Sequence, residues 1–149
     1  MTDPSGTWLI GLDHVQVAAP RGCEDAARDF YGGLLGLAEV EKPHALAARG
    51  GCWFTVGPHE LHVGVADPFV PATKAHPGFR VTSSAVLRGL ARRLADAGLE
   101  LEWADEAEIP GRTRLHLHDP FGNRLELLAD EDQAPREGGA ARPFPAAAS

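Results

Sequence analysis

The chain predicts an α+β fold built from two copies of one unit, each a strand, a helix and three further strands. Three observations carry that prediction. Short runs with apolar residues at every second position recur, as in Leu12-Asp13-His14-Val15-Gln16-Val17 and Glu60-Leu61-His62-Val63-Gly64-Val65. Two other segments space their apolar residues as a helix does. After Asp67-Pro68 and Pro71 the order of these signals begins again.

Residues 9–18 read as the first strand, and Pro20-Arg21-Gly22 breaks it. From Cys23 to Leu35, Ala26, Ala27, Phe30, Tyr31, Leu34 and Leu35 recur at helical spacing, and Gly36 is placed to end that helix. Residues 37–41, 51–56 and 60–65 read as three strands, with turn signals at Pro43, Gly50 and Gly57-Pro58, and with His44 and His59 in the turns. In the second unit residues 76–82 form the strand. Ser84 is the expected N-cap of a helix that carries Val86, Leu87, Leu90, Leu94 and Ala97 and is closed by Gly98. Residues 99–103, 114–118 and 124–128 complete it. The expected organisation is one domain over 9–129, with module one at about 9–66 and module two at about 75–129. The stretch 130–149, with its acidic residues, Gly138-Gly139 and prolines, is expected to be a mobile tail.

A chain of 149 residues can bury a core without disulfides. Its net charge of -7 supplies no electrostatic footprint for nucleic acid or an anionic membrane. The expected partners are a small-molecule substrate and a second copy of the chain. Cys23 and Cys52 form no disulfide framework, and no run approaches the ~18 apolar residues of a membrane span. With no export signal recognised at the N-terminus, a cytoplasmic location is expected.

Strand parity singles out four polar residues. Successive side chains on a strand point to opposite faces. If Val15 and Val17, Leu61 and Val63, Phe79 and Val81, and Leu125 and Leu127 enter a core, then His14, His62, His76 and Glu126 share the other face. Imidazole and carboxylate donors suit Zn, Ni, Mn or Fe(II), so a divalent metal is the expected cofactor, with these four as ligands. Glu126 is also the candidate for proton transfer, with Glu60 as an alternative. Gln16, Arg80 and His116 lie at cleft-facing parity and are the candidate substrate-binding residues.

Three stretches resemble one family: Leu12-Asp13-His14-Val15, the helix segment Asp29-Phe30-Tyr31-Gly32-Gly33-Leu34-Leu35-Gly36-Leu37, and Asp119-Pro120-Phe121-Gly122-Asn123-Arg124-Leu125-Glu126-Leu127. They are similar to the vicinal oxygen chelate superfamily of glyoxalase I, extradiol dioxygenases, fosfomycin-modifying enzymes and bleomycin-binding proteins. The resemblance implies two βαβββ modules paired into an open, curved mixed sheet around a metal cleft. It also implies ligands on the first and last strands of each module, which again picks His14, His62, His76 and Glu126. Glyoxalase I commonly has Glu at the place of His62, and the fosfomycin enzymes carry Thr at that of Gln16.

The expected function is a metal-dependent, glyoxalase-like lyase or isomerase that polarises a small oxygenated metabolite. The alternatives are an Fe(II) ring-cleaving dioxygenase and a non-catalytic binder that confers drug resistance. The open sheet edges implied by the fold lead to the expectation of a homodimer.

Overall fold

Strand pairing decides the architecture. The computed structural model describes residues 8–131. Its first module contains β1 (His14–Ala19), α1 (Glu24–Ala27) running on as a π-helical turn over Arg28–Leu34, β2 (Ala38–Val40), α2 (His44–Ala47), β3 (Cys52–Val56) and β4 (His59–Val65). The second contains β5 (Gly78–Arg80), α3 (Ser84–Asp96), β6 (Glu102–Trp103), β7 (Arg112–His118) and β8 (Arg124–Asp130). Two four-stranded sheets result, ordered β1-β4-β3-β2 and β5-β8-β7-β6. In each, the first and last strands of the module pair in parallel and the remaining pairs are antiparallel. This is the duplicated βαβββ plan in an α+β fold. No helix among the described residues is long and apolar enough to cross a membrane. The expected tail lies outside the described residues from 132 onward, and Asp130 ends β8.

The alternation read from the sequence sorts most of the faces, but Val15, expected in the core, is exposed, and His62, expected on the open face, is buried. Leu61 and Val63, Cys52 and Phe54, and Leu115, Leu117, Leu125 and Leu127 are all buried against the helices. In α3, Leu87, Ala91 and Leu94 fall at helical spacing and are buried as well. Each fully buried leucine contributes about 1.5–3 kcal/mol. Residues of both modules join a single core cluster.

Several elements depart from the sequence reading. β1 starts at His14 rather than residue 9, because its partner β4 begins at His59 and the register opens with His14 opposite Glu60. That leaves Trp8, Leu9, Ile10 and Leu12 exposed. The first helix does not stay α-helical to Leu35. Its second half widens, with Leu35 N–H donating to Phe30 C=O at 2.9 Å, and the consecutive aromatics Phe30 and Tyr31 both turn inward. The cap of α3 is Ser83, not Ser84: the extended Ser83 accepts the Val86 N–H at 3.1 Å, while Ser84 lies inside the helix. β5 is shorter than expected, and Pro77 just ahead of it has no N–H to offer a ladder. α2 was not expected from the sequence.

The β7–β8 hairpin ties the modules together. In the turn Asp119-Pro120-Phe121-Gly122-Asn123, Asp119 Oδ1 accepts the backbone N–H groups of Phe121 and Asn123, each at 2.9 Å. Gly122 takes a φ of 91°, which an L side chain rarely adopts. Asn123 is buried and uses both ends of its amide. Its Nδ2 donates to Ala18 C=O at 2.7 Å and to Asp119 Oδ2 at 2.9 Å, and its Oδ1 accepts the Ala72 N–H at 3.0 Å. Tyr31 Oη donates to Asp119 Oδ2 at 2.7 Å. Burial and the adjacent Asp119 carboxylate push the Tyr31 hydroxyl well above its ordinary pKa, so it stays a donor.

Replacing Asn123 with Ala strands partners in module one, in the linker and in the turn at once. The expected loss is roughly 2–4 kcal/mol, seen as a lower denaturant midpoint and a lower Tm. An unchanged midpoint would remove this network from the list of what holds the modules together.

Candidate functional site

Hairpin register builds the site. His116 on β7 stands directly opposite Glu126 on β8, and Gly78 on β5 stands opposite the same Glu126. His76 precedes Gly78 by two residues, where Glu126 N–H donates to Pro77 C=O at 3.1 Å. As a result His76 Nε2 lies 2.9 Å and His116 Nε2 3.5 Å from Glu126 Oε2. The two imidazoles meet edge to face with centroids 5.5 Å apart. One donor atom from each of the three residues lies within 4.8 Å of the other two.

The donor set suits a metal ion. Tetrahedral coordination at about 2.0–2.1 Å puts neighbouring donors about 3.3 Å apart, between the two distances from Glu126 seen here. His76 Nδ1 lies 2.8 Å from Lys74 C=O, so a metal could replace the Nε2 proton shared with Glu126 while Nδ1–H keeps its partner. Burial, helped by the charge of Arg124, lowers the His116 pKa and favours its neutral, ligating form.

The carboxylate of Glu126 is divided between two functions. Oε2 faces the imidazoles, while Oε1 accepts from Arg114 Nη1 at 3.2 Å. Arg114 Nη2 in turn donates to Glu108 Oε2 at 2.6 Å. Burial opposes the charge on Glu126, but hydrogen bonds from His76 and Arg114 and the nearby charges outweigh it and hold its pKa below the ordinary range.

His14 and His62 gather elsewhere in the same chain. They stack at 4.3 Å, with His14 exposed and His62 buried, and His62 also stacks on Trp53 at 3.8 Å and 2°. His62 Nε2 lies 2.7 Å from Glu60 Oε2, and His14 Nδ1 lies 2.8 Å from Asp13 Oδ1. Of the four ligands expected from the sequence, the structure therefore brings His76 and Glu126 together and sets His14 beside His62. The group of three donors found among the described residues takes His116 as its third member. That residue was expected at the cleft as a substrate contact, and counting outward from the 119–123 turn would have placed it opposite Glu126.

Gln16 stands opposite His62 on the open face, and its exposed carboxamide lies across Gly64, where a Cβ would come within 2.8 Å of Gln16 Cδ. Arg80 shares the face of Glu126 but is ion-paired with Asp130. The sequence offers Arg114 only as a candidate for a substrate anion and Trp53 only as one of two aromatics that could face the cleft, and it gives Glu108 no role. Sheet register brings Trp53 opposite His62, and Glu108 reaches Arg114 from the segment ahead of β7.

The family model described as the Glyoxalase/Bleomycin resistance protein/Dioxygenase superfamily matches residues 11–127. The chain belongs to that superfamily. Among solved structures it resembles a glyoxalase family protein from Bacillus anthracis at 44% identity and TM-score 0.78, covering 84% of this chain and 98% of that one. It shares its fold with a lactoylglutathione lyase from Agrobacterium tumefaciens (19% identity, TM-score 0.64, 83% of this chain and 96% of that one). The fosfomycin resistance protein FosX from Listeria monocytogenes also shares the fold (15% identity, TM-score 0.65, 81% and 93%). A comparison with curated proteins gives no match. Superfamily membership accounts for the paired modules, and the low identities to the lyase and to FosX carry the fold alone.

In this superfamily member the Arg114 contact should be visible by titration. Without metal, Arg114→Met removes a hydrogen bond and a positive charge from Glu126 and leaves burial less opposed. The Glu126 carboxyl should then titrate at higher pH than in the native protein, read from carboxyl carbon shifts by NMR. In the native protein the depressed pKa contributes stability that is present above the unfolded-state pKa and lost as pH falls through the folded one. An unmoved Glu126 titration in the variant would show that Arg114 does not act on this carboxylate.

Proposed function

We propose that this chain is a metal-dependent lyase or isomerase acting on a small oxygenated metabolite, and that it works as a homodimer with sites shared between subunits. The observation that carries the reading is the convergence of His76 Nε2, His116 Nε2 and Glu126 Oε2 on one point of an open sheet face. A bound divalent ion, Zn, Ni, Mn or Fe(II), supplies Lewis acidity to substrate oxygens.

The protein side chains supply the rest. His76 and Glu126 are the ligands of the second module, with His116 beside them. Arg114 occupies Oε1, so Glu126 takes up proton transfer at Oε2 only on release of that oxygen from the ion, with Glu60 as the alternative base. His14 and His62 lie outside the three-residue group in their own chain, so their joining it calls for a second subunit. Two features support that assembly: β1 and β5 are unpaired sheet edges, and exposed Trp8, Leu9, Ile10 and Leu12 run into β1. In the exchanged dimer, His14 and His62 of one protomer face His76 and Glu126 of its partner, and Gln16 and Arg80 line the cleft around the substrate.

Metal analysis of protein purified without added metal tests the ligand set. Occupancy should fall at least tenfold in His76→Ala and Glu126→Ala and stay unchanged in His44→Ala. Equal occupancy in all three variants would displace the site. Activity should vanish with chelator and return with a divalent ion. Iron together with oxygen uptake on catechols would replace the lyase reading with a dioxygenase. Metal-free ligand binding without turnover would replace it with a sequestering protein.

Subunit mixing tests the exchange. If the modules exchange, His14→Ala alone loses metal and a heterodimer with Glu126→Ala chains regains one intact site; if they do not, His14→Ala keeps the metal held by its own His76, His116 and Glu126. Metal binding should therefore return on mixing, and demonstrated heterodimers without recovery would rule the exchanged arrangement out.

A further inference from the structure

The face that carries His14 and His62 also holds a cavity of about 230 Å³ that the metal chemistry does not use. The segment between β2 and β3 folds over the end of the sheet and encloses it, with Lys42, Leu46 and Arg49 from that segment above Gln16, Trp53 and Gly64. Among the described residues its lining includes two cations and no acidic side chain, on a chain whose net charge is -7. Local charge of that sign in an acidic protein concentrates anions.

Each polar group in the cavity has binding capacity left. Arg49 makes no ion pair among the described residues. Lys42 donates through Nζ to Gly50 C=O, which leaves two of its three N–H donors. Glu24, whose carboxyl feels the Lys42 charge, is engaged by the Gly51 N–H at 3.0 Å. The Gln16 carboxamide makes no hydrogen bond to described protein groups and lies over Gly64, where a side chain would push it aside. Gln16 follows His14 by two residues on the same strand face, about 7 Å along the strand. The cavity therefore opens a few bond lengths from His14 and shares the Trp53 ring that stacks on His62.

We propose that this cavity is an anion subsite of the substrate cleft: Lys42, Arg49 and Gln16 bind a terminal oxyanion, a carboxylate or phosphonate, of the molecule whose reacting end lies at the histidine face. The assignment of a reacting end rests on the metal-cleft reading above; the binding of the anion does not. A guanidinium and an ammonium supply charge-assisted hydrogen bonds, and the neutral amide fixes orientation.

The test titrates inorganic phosphate, methylphosphonate and acetate separately into the full-length protein stripped of metal, followed by amide NMR. Saturable shifts are expected at the Gln16 side-chain amide and at the Gly50, Gly51 and Gly64 amides. Arg49→Gln, at an exposed position, should weaken binding about tenfold, and Lys42→Gln by a similar factor, while Arg92→Gln leaves it unchanged. Gly64→Ala should weaken it as well, by displacing Gln16 with both cations intact. A preference for acetate identifies a carboxylate substrate, and a preference for methylphosphonate or phosphate identifies a phosphorus oxyanion. Absence of these shifts with all three anions, or native affinity in Arg49→Gln and Lys42→Gln, overturns the proposal. Anion binding that persists in a protein with no metal affinity would leave the subsite standing and remove the metal reading alone.

Discussion

The buried hydrogen bonds around Asp119 and Asn123 are the constraint on which the rest depends. They close the β7–β8 hairpin with a fixed turn, and a fixed turn sets a fixed register. A slip of one residue would send His116 and Glu126 to the core and Leu115 and Leu127 to solvent. The same amide of Asn123 reaches Ala18 at the end of β1, and Asp119 receives the Tyr31 hydroxyl from the first helix. Local turn chemistry, pairing of the second sheet and attachment of the first module are therefore one network. Because each group is buried, each missing partner costs more than an exposed hydrogen bond would.

Division of each sheet into an apolar and a polar face gives the molecule its working surface. The helices cover one face and its leucines, leaving the other free to carry imidazoles, carboxylates and guanidinium groups. Each module repeats this division, so each holds its own histidine cluster: a stacked pair beside Trp53 in the first and a convergent set around Glu126 in the second. The parallel pairing of β1 with β4 and of β5 with β8 leaves β1 and β5 at the sheet edges. Edges carrying open backbone groups and a neighbouring apolar segment are surfaces that a second subunit can cover.

Much of this plan is legible in the sequence because it depends on parity. Period-two runs reveal which residues share a face, and that was enough to put His76 and Glu126 together and to separate both from Leu125 and Leu127. Parity contains no distances, however. It could not say that His14 stacks on His62 rather than meeting His76, since that depends on how the modules are arranged in space. His116 lay within reach of the sequence, because the five residues of the 119–123 turn pair it with Glu126 by counting. The π-helical turn at Arg28–Leu34 was beyond reach, for it arises where packing turns Phe30 and Tyr31 to the core together. The Ser83 cap was missed by one residue because two adjacent serines offer the same hydroxyl, and only the extended backbone of Ser83 selects between them.

Charge explains why an arginine stands beside a group of metal-type donors. A guanidinium next to a divalent ion would be repelled if it were unpaired. Arg114 is instead held between Glu108 and Glu126, its charge offset on both sides, with its side chain largely withdrawn from water. By occupying Oε1 it also limits Glu126 to one free oxygen, which turns a potentially bidentate carboxylate into a single directed donor. With His76 and His116 neutral, the five side chains His76, His116, Glu126, Arg114 and Glu108 carry a net charge of about minus one. A cluster of that charge would attract a divalent cation and, on the reading proposed above, would leave the occupied site with a positive balance toward negative charge on a bound oxygen.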